Sequence, residues 1–100
     1  MNKEFLNLAL AITQQFGPER AESRESRLYK ANSGISSYEG VKLFKFCDEI
    51  ESFAYDLAGQ VRDKSITIEL FSEKLQGAYP QLNEERLSTT LNQAMYYSLK

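Results

Sequence analysis

Apolar positions in this chain recur at steps of three and four over most of its length, the spacing of helices that bury one face. Phe5, Ala9, Ile12 and Phe16 align, and Leu6, Leu8 and Leu10 broaden the face, predicting a first helix from Asn2 to Phe16. Gly17-Pro18 stops it, because glycine accepts a left-handed cap and proline cannot continue a helix. Pro18 suits the first turn of a second helix, Glu19 to Asn32, with Ala21, Leu28, Tyr29 and Ala31 as its packing residues. The richest pattern runs from Tyr38 to Asp63. Leu43, Phe46, Cys47, Ile50, Phe53, Ala54, Leu57 and Val61 form one stripe there, while Phe44, Asp48, Glu51 and Tyr55 form a second on another face. A helix with two stripes either sits centrally or offers one of them to a partner.

Punctuation fixes the remaining elements. Residues 33–37 read as a loop ending at a serine N-cap for a helix from Tyr38, with Gly40 in its first turn, where a later start is the alternative, while Gly59 weakens the last turns or allows close packing. A short helix is predicted from Ile68 to Gln76, capped by Thr67, with Phe71 and Leu75 inward, ended by Gly77 and followed by a Tyr79-Pro80 connection. Asn83 caps the last helix, Glu84 and Glu85 occupy its positive end, and Leu82 staples onto Leu87. Leu87, Leu91, Ala94 and Ser98 are its inner face, flanked by Met95, with Tyr96 pointing away. No alternating run is long enough for a strand. The expected fold is all-α: a compact bundle of four or five helices around one long central helix, in a single domain spanning residues 1–100.

Charge complicates the second segment. As a helix it places Arg20, Arg24, Arg27 and Lys30 in one line and Glu19, Glu22 and Glu25 in another, with no opposite charges three or four apart. It buries little apolar area to offset ordering entropy, so residues 19–36 are read as a stretch open to mobility. The basic line could touch phosphate or an acidic protein surface, but the neighbouring glutamates nearly cancel its field, which favours a solvated face.

Composition excludes more than it selects. The 100 residues, 42% hydrophobic and 26% charged, suit a soluble globular protein. The net charge of −2 disfavours general nucleic-acid binding. Residues 1–46 hold seven Lys or Arg against five Asp or Glu, and residues 47–100 hold five against nine, so the second half suits a basic partner. Cys47 is the sole cysteine, on the main apolar stripe where a buried thiol is expected, and histidine is absent. A serine nucleophile would lack its usual base, and no phosphate loop, EF-hand or zinc spacing occurs. Asp48, Glu49 and Glu51 could serve acid–base chemistry only if their environments drove their pKa values apart. The expectation is a protein that is not an enzyme and carries no cofactor and no metal. The apolar run Phe5–Ile12 is interrupted by Asn7 and too short to span a bilayer, so cytoplasmic residence without membrane contact is expected.

The segment Lys64-Ser65-Ile66-Thr67-Ile68-Glu69-Leu70-Phe71-Ser72-Glu73-Lys74-Leu75 resembles part of the colicin D-type immunity proteins and related small bacterial immunity proteins. The likeness lies in Ile66-Thr67 opening a short helix, Phe71 inward, and Ser72-Glu73-Lys74 after it; it covers about an eighth of the chain. The resemblance implies a small acidic helical protein that binds a cognate toxin, often a basic nuclease, and blocks it. It reaches none of the second stripe. Read from the residues, Phe44 and Tyr55 either pack under a neighbouring helix or anchor a partner, while Asp48, Glu51 and Asp56 attract basic groups. The expected function is a non-catalytic inhibitor of a basic toxin domain, docking through Phe44, Asp48, Glu51, Tyr55 and Asp56. The alternative is a helical regulatory or adaptor protein acting as a homodimer.

Overall fold

A computed structural model describes residues 2–15 and 21–99. These residues form five helices and no strand: α1 (Lys3–Thr13), α2 (Arg24–Ala31), α3 (Ser37–Arg62), α4 (Ile68–Ala78) and α5 (Glu84–Ser98). The all-α reading is correct. No helix among them is long and apolar enough to cross a membrane. The chain divides into two compact units, one ending at Asp48 and the other beginning at Glu49, so the boundary falls inside α3.

Each helix begins on a polar cap. The side chains of Asn2, Ser23, Thr67 and Asn83 accept backbone N–H bonds from Phe5, Ser26, Leu70 and Arg86, filling donors that the first turn leaves without partners. At α3 the cap is reciprocal. The Ser36 hydroxyl accepts from the Glu39 N–H at 3.1 Å, and the Glu39 carboxylate accepts from the Ser36 hydroxyl at 3.1 Å and from its N–H at 3.4 Å. That capping box starts α3 at Ser37, one residue ahead of the expected Tyr38, so Gly40 does not delay the helix.

The first unit is built on α1, α2 and the first half of α3. Leu6, Ala9, Leu10 and Ile12 of α1, Leu28 of α2, Ile35, and Leu43, Phe44 and Cys47 of α3 are buried. Helices α1 and α2 pack together. A Cβ on buried Gly40 would stand 3.6 Å from Leu28 Cδ2, so α2 lies close against α3 here. The helix boundaries are tighter than the pattern predicts. Helix α1 stops at Thr13, and α2 begins at Arg24 because the Ser23 side chain takes the cap. The expected stop at Gly17-Pro18, with Phe16, Glu19 and Arg20, lies outside the described residues. Of the four packing residues expected in the second segment, Leu28 alone is buried; Ala21, Tyr29 and Ala31 are exposed.

The second unit contains the rest of α3 with α4 and α5, which pack on one another. Ile50, Ala54, Leu57, Ala58, Phe71, Leu75, Leu82 and Ala94 are its buried apolar residues. The Phe53 ring meets the edge of Tyr79 at 5.4 Å between centroids. Helix α4 runs through Gly77 to Ala78; Pro80 stops it by forcing Tyr79 out of helical geometry, so the glycine is not the terminator. On α5 the buried line is Thr90, Ala94 and Ser98, while Leu87 and Leu91 are half-buried.

Candidate protein-docking surface

The residues of the second stripe fall into both units, and each part has its own surroundings. In the first unit, Phe44 is 2% exposed. It is a core side chain, so the structure withdraws it from the docking surface on which it was expected. One face of its ring is covered by Arg24. Its guanidinium lies over the Phe44 ring, 4.7 Å from the centroid, and forks onto Asp48, with Nη1 to Oδ1 at 2.8 Å and Nη2 to Oδ2 at 3.3 Å. Nη1 also donates to Thr13 Oγ1 at 3.4 Å. The Asp48 bond holds the Arg24 pKa above its ordinary value, against the opposing effect of partial burial. Asp48 is therefore at the surface but already engaged with a cation of its own chain.

The remaining basic residues of the second segment are engaged as well. Arg27 Nη1 donates to the Ile12 carbonyl at 3.2 Å and to Gln15 Oε1 at 2.8 Å. Lys30 pairs with Glu22 at 2.6 Å, and that bond, with a second from the Ser26 hydroxyl, holds the Glu22 carboxyl below its ordinary value. A solvated face was expected for this line. Its described members instead carry specific bonds, because cations without partners on their own helix reach across to others.

In the second unit, Tyr55 is 49% exposed. Glu51, one turn earlier on the same strip of α3, is half-buried, and Asp56 is exposed. Asp56 follows Tyr55 directly, so it points about 100° further round the helix and does not share the strip. Small residues, Ser52 and Gly59, lie one turn to either side of Tyr55, with Glu51 beside Ser52 on the preceding turn. Among the described residues of this unit, Asp63 pairs with Arg62 and Glu85 with Arg86. Glu49, Asp56, Glu69, Glu73 and Glu84 are exposed and make no ion pair.

A second exposed apolar area belongs to the first unit. Tyr29 and Val41, 63% and 59% exposed, help line a pocket of about 110 Å³ with Leu28, Ile35 and Gly40. Neighbouring Tyr38 is covered on one ring face by the Lys42 ammonium at 4.3 Å.

Sequence reasoning missed Arg24. Its signal was present in the lack of partners at helical spacing, which leaves a long side chain free to bond elsewhere. Comparison with known protein families, with characterised proteins and with solved structures finds no match for this chain.

Proposed function

We propose that this protein is a non-catalytic inhibitor of the immunity type, which neutralises a basic bacterial toxin domain, a nuclease, by binding it directly. The observation that carries the reading is Tyr55, half exposed on α3 one turn after Glu51 and directly before Asp56, in a unit where Glu49, Asp56, Glu69, Glu73 and Glu84 are exposed. An exposed tyrosine gives a rigid area to desolvate against a partner, and surrounding carboxylates speed encounter with a basic surface. The resemblance of residues 64–75 to colicin D-type immunity proteins supports the same class. The binding set proposed is Glu51, Tyr55 and Asp56 of the second unit; Asp48, in the first, is occupied by Arg24.

The test is an inhibition assay on a toxin sought in the reading frames that flank this one. Its purified nuclease domain is mixed with this chain and nucleic-acid cleavage is followed. One equivalent of chain should abolish cleavage, and the double change Glu51→Lys, Asp56→Lys should weaken inhibition at least about tenfold. Cleavage that continues in molar excess of the chain would overturn the proposal. A helical regulator that self-associates is the second reading, favoured by the exposed Tyr29–Val41 pocket; sedimentation equilibrium separates it, since a concentration-dependent dimer is its signature.

A further inference from the structure

The arrangement of Arg24, Phe44 and Asp48 is more than a fold contact. An aromatic face and a carboxylate four residues on along one helix form a site matched to a flat, charged, forked group. The guanidinium of Arg24 uses both features, stacking at 4.7 Å and bonding both carboxylate oxygens. We infer that Phe44 and Asp48 form a seat for one arginine side chain, filled by Arg24 in the unbound chain, and that a basic protein partner docks by exchanging its own arginine for Arg24. This rests on the docking reading above and adds to it the group recognised and the group that must leave.

Three observations support exchange. The ion pair is open to water, with the Asp48 side chain 58% exposed and that of Arg24 31%. Such pairs contribute little net stability, so a competing guanidinium presented by a docked surface can replace one. Arg24 is also the first residue of α2, whose attachment does not depend on it. Buried Leu28 and the bonds of Arg27 to Ile12 and Gln15 hold α2 while the Arg24 side chain swings out. Removal of the guanidinium uncovers one face of Phe44, returning an aromatic contact to the surface at the moment a partner arrives. Lysine fits the seat poorly, because an ammonium neither stacks as a plane nor forks onto both oxygens.

The experiment is an NMR titration of the isotope-labelled chain with the blocked peptide acetyl-Gly-Arg-Gly-amide and, separately, its lysine counterpart. Arg24→Gln should bind the arginine peptide about fivefold more tightly than the parent chain, since the internal competitor is gone. The shifts should fall on the Asp48 carboxylate carbon and the Phe44 ring. Arg24→Lys, which keeps the charge and loses the fork, should fall between the two. Asp48→Asn should lose the shifts, and the lysine peptide should bind more weakly throughout. Equal affinity in the parent chain and both Arg24 variants would overturn the exchange, as would an Arg24→Gln chain whose Asp48 and Phe44 signals do not move. No toxin enters this titration. Inhibition of the nuclease with no gain for Arg24→Gln would sink the exchange alone, and peptide exchange without inhibition would sink the toxin reading alone.

Discussion

Lys64 has a φ of 64°, in the left-handed region where a Cβ crowds the following carbonyl. It stands there because α3 ends in a Schellman motif, with the Lys64 N–H donating to the Val61 carbonyl at 3.0 Å and the Ser65 N–H to the Gln60 carbonyl at 2.8 Å. Glycine is the residue that position favours, so Lys64→Gly should stabilise the protein by about 1 kcal/mol. A melting temperature higher by several degrees checks this, and a lower one would mean that the lysine makes contacts worth more than the backbone strain. Tyr79 offers a second expectation. Burial, reinforced by the nearby Glu49 carboxylate, raises its phenol above the ordinary 10.0. The folded form thus holds the proton more tightly than the unfolded chain, so this contribution to stability is complete below pH 10.0 and is lost as pH rises through the raised value. Alkaline unfolding of Tyr79→Phe should lack that part of the pH slope while keeping the ring against Phe53. Neither position stands out in the sequence, because φ at Lys64 and burial at Tyr79 are products of how the chain turns after α3 and α4.

Among the elements, α1 and α5 share a need that their own sequences do not meet. Neither has a basic residue in its last turn, where the carbonyl end of the dipole favours a cation. Each borrows an arginine from another helix of its own unit. Arg27 of α2 donates to the Ile12 carbonyl at 3.2 Å, and Arg62 of α3 donates to the Ser98 carbonyl at 2.8 Å. Arg62→Ala should therefore cost about 1 kcal/mol, less than a buried charged donor because the side chain is nearly half exposed. Hydrogen exchange should place the loss in the last turn of α5; equal loss across all helices would contradict a local capping role. The starts of α4 and α5 were legible from the sequence, since the Thr67 and Asn83 caps act within three residues, whereas the Ser23 cap that delays α2 to Arg24 was not read. Helix ends were less legible. Gly77 reads as a terminator by composition, yet α4 passes through it, because Pro80 rather than the glycine ends the run of helical geometry.

For the whole molecule, the net charge of −2 conceals an uneven division. Up to Asp48 the chain carries seven basic against six acidic residues, +1, and from Glu49 onward five against eight, −3. A basic toxin would be drawn to the second unit over distances of the order of the Debye length, about 10 Å at 0.1 M salt. Its association rate should fall steeply as salt rises while dissociation changes little; stopped-flow rates indifferent to salt would mean that the carboxylates do not steer. Amphipathic periodicity made the all-α class readable, because burial follows spacing. Exposure of the expected site residues was legible only in part: Tyr55 and Asp56 stand outside as the pattern suggests, but Phe44 is buried and stacked on by a residue 20 positions earlier, a contact no local period encodes. Cys47 gives this molecule a built-in clock. It is the sole thiol and is 0% exposed, one turn from Phe44 and next to Asp48 on α3. A thiol reagent reaches it only when the structure around it opens, so labelling reads the open population, and the opening rate itself once the reagent outpaces reclosing.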